Sequence, residues 1–145
     1  MKKTIYRYII TTIIFLLSVN LLAQNTHIGL WKGIDDKGEL GYLNLDEKGY
    51  TFLIIKGDTI GGEKFSQNGI EAKMKYEIDY STSPKKIDFI VTRTDNGQEL
   101  GRLLGIIDFI GDDEMKIRFS FTKSERPKDF LPPDNDDTVI LKKVK

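Results

Sequence analysis

The chain has 145 residues, with 22 basic and 22 acidic side chains, one histidine and no cysteine. That length is a prior for one domain. Without cysteine there is no disulfide, no thiolate nucleophile and no cysteine-linked lipid, so the core folds on packing alone. The balanced charge argues against a nucleic-acid partner gripped through phosphates and against electrostatic membrane binding.

Residues 1–23 read as a signal peptide. Lys2, Lys3 and Arg7 form a basic start, Ile9 to Leu22 is mostly apolar, and Ala23 supplies a small residue at the cleavage position. Thr11, Thr12, Ser18 and Asn20 interrupt the apolar run, leaving it short of the roughly 20 apolar residues of a membrane-spanning helix. The predicted organisation is a signal peptide over 1–23 and one β domain over 24–145. The expected route is Sec export to the periplasm, cell surface or exterior, with no stable membrane insertion after cleavage. An uncleaved N-terminal anchor is the alternative, because Leu21 is large for its place in a cleavage site. Removing the signal takes three basic residues and no acidic ones, which leaves a mildly acidic mature chain.

Beyond the signal the dominant period is two. Ala72, Met74, Tyr76, Ile78 and Tyr80 alternate with charged residues, as do Met115, Ile117, Phe119 and Phe121 with Glu114, Lys116, Arg118 and Ser120. Successive strand side chains point to opposite faces, so each run has one buried and one wet face. Further strands are predicted over 28–34, 40–45, 50–55, 60–65, 87–92, 100–109 and 138–144. Between them lie turn pairs such as Asn68-Gly69 and Asn96-Gly97, where glycine accepts the positive φ of tight hairpins. Short strands at this spacing predict an antiparallel sandwich or barrel. Ser124 to Asp137, with three prolines, is the one long irregular stretch. It is expected to be a loop packed by Phe130 and Leu131 across an end of the domain.

Gly29-Leu30-Trp31 matches the Gly-x-Trp that opens the first strand of lipocalins. Ser83 to Asp88, Leu104 to Ile107, Gly111 to Ile117 and Glu125 to Phe130 resemble successive motifs of an uncharacterised, planctomycete-type lipocalin-like domain family. Among those motifs are Pro-Lys-x-Ile-Asp and Arg-Pro-x-x-Phe. Order and spacing agree from Gly29 to Lys143. Ile107 stands where the family carries Tyr, and the second lipocalin signature, Thr-Asp-Tyr, is missing. The resemblance implies an all-β, antiparallel up-and-down barrel of about eight or nine strands, and no catalytic residues. It also implies that Gly29 and Trp31 close one barrel end. Arg126 or Arg118 would pack over the Trp31 ring, a cation–π contact of about 0.5–2 kcal/mol.

No catalytic constellation survives inspection. His27, just before the first strand, lacks a partner in sequence and reads as a solvated tail residue. Gly57 to Lys64 departs from the phosphate-loop pattern, because Glu63 separates Lys64 from the last glycine and no helix follows. Asp134 to Asp137 lacks the glycine and distal glutamate of a calcium loop. Asp88 and Asp108 each interrupt an apolar strand and could act as a carboxylate pair only if the fold brought them together. The expectation is therefore a non-enzymatic binding module with no metal and no cofactor. It would hold a small apolar ligand lined by Met74, Tyr76, Ile87, Phe89, Ile117 and Phe119. The alternative is an exported interaction or inhibitor protein, with a filled barrel and a protein partner.

Overall fold

The computed structural model describes residues 26–34, 40–121, 124–130 and 138–145. The predicted signal peptide and the acidic run Asp134 to Asp137 lie outside the described residues. Among the described residues there is no helix. Ten strands make one antiparallel sheet: β1 (Gly29–Ile34), β2 (Leu40–Leu45), β3 (Thr51–Ile55), β4 (Asp58–Gly61), β5 (Phe65–Gln67), β6 (Ile70–Asp79), β7 (Lys85–Arg93), β8 (Glu99–Phe109), β9 (Glu114–Phe119) and β10 (Thr138–Lys143). Their order is β4-β3-β2-β1-β10-β9-β8-β7-β6-β5, so the first and last strands are neighbours.

The two sheet edges nearly meet, which makes a nearly closed barrel. Tyr50 bridges Lys75, the Tyr76 amide donates to the Gly49 carbonyl at 3.0 Å, and the Met74 amide donates to the Gly62 carbonyl at 2.8 Å. The single strand expected over 60–65 is divided between β4 and β5. Gly61 and Gly62 both have positive φ, 102° and 97°, and there the chain leaves β3 and crosses to β6. A Cβ on Gly61 would collide with Met74 Cε and lie 2.7 Å from the Thr51 carbonyl oxygen. Only glycine fits that crossing.

Followed strand by strand round the eight longer strands, the pairing slips by twelve residues before Tyr50 meets Lys75. Eight staggered, tilted strands enclose an interior that side chains can fill or that can hold one small ligand. The inward positions on each strand build a single core of Trp31, Leu43, Leu45, Met74, Ile87, Phe89, Ile107, Met115, Ile117, Phe119 and Leu141. Gly105 makes room in it: a Cβ there would lie 2.5 Å from the Phe119 ring.

The described part of the segment after β9 does not lie across a barrel end as expected, and Leu131, expected to pack there with Phe130, lies outside the described residues. Residues 124–130 lie along the outer face of β7 to β10. Arg118, on that face, donates to the Asp129 carbonyl at 2.9 Å. Thr138 donates to the Phe130 carbonyl at 3.4 Å, and Lys116 Nζ sits 4.6 Å from the Phe130 ring centre. This cover buries Ile106 and Arg118 on the outside of the sheet.

Candidate functional site: the two barrel ends

The strand termini define two ends. At one, β1 begins and β10 finishes, and here Trp31 is fully buried. Its indole N–H donates to the His27 carbonyl at 2.8 Å. The cation over its ring is Lys143, 5.2 Å from the ring centre, and Lys143 Nζ also donates to the Thr26 carbonyl at 3.0 Å. Gly29 admits that lysine, because a Cβ on Gly29 would come within 2.8 Å of Lys143 Cε. Arg126, expected over Trp31, lies elsewhere. Its Nη1 is 2.6 Å from Asp88 Oδ1 and donates to the Gly105 carbonyl at 2.7 Å and the Ile87 carbonyl at 3.3 Å. The charge contact and the backbone bonds together pin the 124–130 segment to β7 and β8.

His27 is a partnered residue of the Trp31 end, not a solvated tail. Tyr76 Oη donates to the Asp46 carbonyl at 2.7 Å, so it accepts from His27 Nε2 at 3.0 Å. His27 Nδ1 then accepts from Tyr80 Oη at 2.7 Å. In the tautomer with the proton on Nε2, donors and acceptors thus run in one direction from Tyr80 to Asp46. Burial pushes the Tyr76 phenol up to about 12, helped by the nearby Asp46 charge and then by Tyr80. Burial alone pushes Tyr80 to about 12. Both phenols are therefore neutral hydrogen-bond donors at physiological pH. A cleft of about 380 Å³ opens beside them, lined by His27, Ile28, Glu47, Gly49, Tyr76, Ile78 and Tyr80.

At the opposite end several inward apolar residues are incompletely covered. Register puts paired residues on one face of the sheet, so Ile60, paired with Leu53, and Ile55, two residues on, turn to the barrel axis as Leu53 does. Leu53, Phe65, Val91, Leu103 and Val139 pack on the core but are only partly buried. Ile55 and Ile60 remain 43% and 46% exposed. Gly41 and Gly101 occupy inward positions in the same upper layer, paired with Ile55 and Val91. A Cβ on Gly101 would meet no heavy atom within 4 Å. The lower and middle layers of the interior are filled, whereas the apolar residues of the upper layer, at the barrel mouth, are incompletely covered.

Of the residues predicted to line a ligand, Met74, Phe89 and Phe119 form the floor of this mouth, with the Phe89 and Phe119 rings 4.6 Å apart. Ile87 and Ile117 lie deeper, inside the filled core. Tyr76 belongs to the other end. Sequence reasoning missed Leu53, Ile55, Ile60, Phe65, Val91 and Leu103; glycines inside the strands at 41 and 101 are the signal that marks their layer. Asp88 and Asp108 form no pair. Asp88 meets Arg126 and Arg102, Asp108 meets Lys85, and Asp88 is opposite Leu104 in register. Among the described residues no group of three His, Cys, Asp or Glu could hold a metal ion. Compared with protein-family models, curated proteins and solved structures, the chain matches none.

Proposed function

We propose that this chain is an exported, lipocalin-like binding module that holds a small apolar molecule in the open mouth of its barrel and does not transform it. The observation that carries the reading is the pair Ile55 and Ile60: large apolar side chains turned to the barrel axis yet nearly half exposed. Exposed apolar surface gathered in a concavity is the usual mark of a ligand site. The filled floor of Met74, Phe89 and Phe119 limits the occupant to the upper layer, so the ligand is small and lies near the surface. Export rests on the N-terminal sequence pattern, and kinship to the planctomycete-type family rests on its motifs.

A titration with an anilinonaphthalene sulfonate dye and with decanoate tests this reading. Saturable binding is expected for both. Gly101→Phe points a ring into the mouth from an inward position that is not left-handed and where a Cβ meets no heavy atom within 4 Å. It should abolish binding while leaving the denaturation midpoint unchanged. Equal binding by the variant, or no saturable binding by either protein, contradicts the proposal. The second reading, an exported interaction or inhibitor protein, draws on the filled lower barrel and would then lead.

A further inference from the structure

The cleft at the Trp31 end is separate from the mouth, and its chemistry is different. Three aromatic rings wall it. The His27 ring centre is 5.5 Å from that of Tyr76, with the planes at 74°, and 6.1 Å from that of Tyr80, with the planes at 54°. The ring edges carry the hydrogen bonds that run from Tyr80 through His27 and Tyr76 to the Asp46 carbonyl. The charged residue in the lining is Glu47, on the hairpin between β2 and β3. Of the lysines nearby, Lys143 is turned to Trp31 and Thr26 and Lys75 to the Tyr50 ring, while Lys48, beside Glu47 in the hairpin, is exposed to solvent.

We infer that this cleft is a site for a small organic cation of the methylated ammonium class, held against the faces of Tyr76, Tyr80 and His27 with Glu47 as counter-charge. A ring face carries negative quadrupole density, and rings meeting at steep angles surround a cation that is too diffuse to hydrogen-bond. A cleft of about 380 Å³ has room for one such group. The carboxylate supplies selectivity over an uncharged molecule of the same shape. Phenols that stay protonated keep the hydrogen-bond chain, and hence the ring angles, fixed across the physiological range.

The test is an NMR titration of the mature chain with choline and, separately, with its uncharged tert-butyl isostere. Choline should shift the His27 and Tyr76 ring signals saturably, and the isostere should not. Glu47 is exposed, so Glu47→Gln should fold and bind choline several-fold more weakly. Tyr80→Phe keeps the ring but loses the bond to His27 and should bind more weakly than wild type, whereas Tyr80→Leu removes a wall and should not bind. Sedimentation with phosphatidylcholine vesicles then separates the sources of the cation. Co-sedimentation points to a lipid headgroup, and free choline binding alone points to a soluble ligand. Gly101→Phe should leave the choline titration unchanged, so this inference and the mouth proposal fail independently. Equal response to choline and its isostere, or wild-type affinity in Glu47→Gln, overturns the inference.

Discussion

Trp31 shows how one residue ties together both termini of the described fold. Its ring is fully buried, its N–H is bonded to His27, and its open face is covered by Lys143 near the C-terminus. Trp31→Ala would leave a cavity among Leu43, Leu141 and their neighbours. Truncations of this kind cost about 3–5 kcal/mol against a total stability of about 5–15 kcal/mol for a domain. A urea titration should show a large fall in midpoint; a shift of only a few per cent would mean that Trp31 is not a core plug. The burial of Trp31 was legible in the sequence, because Gly-x-Trp opening an alternating strand fixes which face the ring takes. Its cation was not. Lys143 reaches the ring through the pairing of β1 with β10, a contact between chain ends that no local pattern encodes. His27 escaped for the same reason, since its partners Tyr76 and Tyr80 lie 49 and 53 residues away.

At the level of elements, period-two alternation marked β6 and β9, apolar runs between turn residues marked the other strands, and the misplaced one is instructive. The 60–65 run reads as continuous by composition, but two consecutive glycines with positive φ divide it, and the division lets β3 and β6 approach. The stretch from Ser124 to Asp137 was legible as irregular from its three prolines, yet the resting place of 124–130 depends on Arg126. This side chain is largely buried, with only 23% exposed, and Asp88 beside it 15%. Charge-assisted hydrogen bonds to backbone carbonyls contribute about 1.5–3 kcal/mol each before relaxation. Arg126→Ala should therefore speed amide exchange across 124–130 and lower stability modestly, because Arg102 still offers Asp88 a partner at 3.1 Å. Arg126→Lys should restore little, since one ammonium cannot reproduce the guanidinium geometry. Unchanged exchange in Arg126→Ala would show that the segment is held by packing alone.

For the whole molecule, the decisive variable is the stagger of the barrel. Alternation says which residues face inward. It does not say at what height each one sits, because height depends on the slip accumulated from strand to strand. Met74, Phe89 and Phe119 were therefore recognisable as interior, while Ile87 and Ile117 were indistinguishable from them in sequence though they lie deeper. The apolar mouth emerges only when the register places Ile55, Ile60, Val91 and Leu103 in one upper layer beside Gly41 and Gly101. Large exposed apolar residues also occur elsewhere: Ile140 alternates outward on β10, and Ile110 and Val144 lie at the Trp31 end. These make an internal control. Methyl NMR of the β domain, residues 24–145, titrated with decanoate tests the central claim most directly. Saturable shifts are predicted for the methyl groups of Leu53, Ile55, Ile60, Val91 and Leu103, with those of Ile110, Ile140 and Val144 unmoved. Shifts centred on Ile110, Ile140 and Val144, or no saturable shift at all, would contradict a ligand site in the barrel mouth.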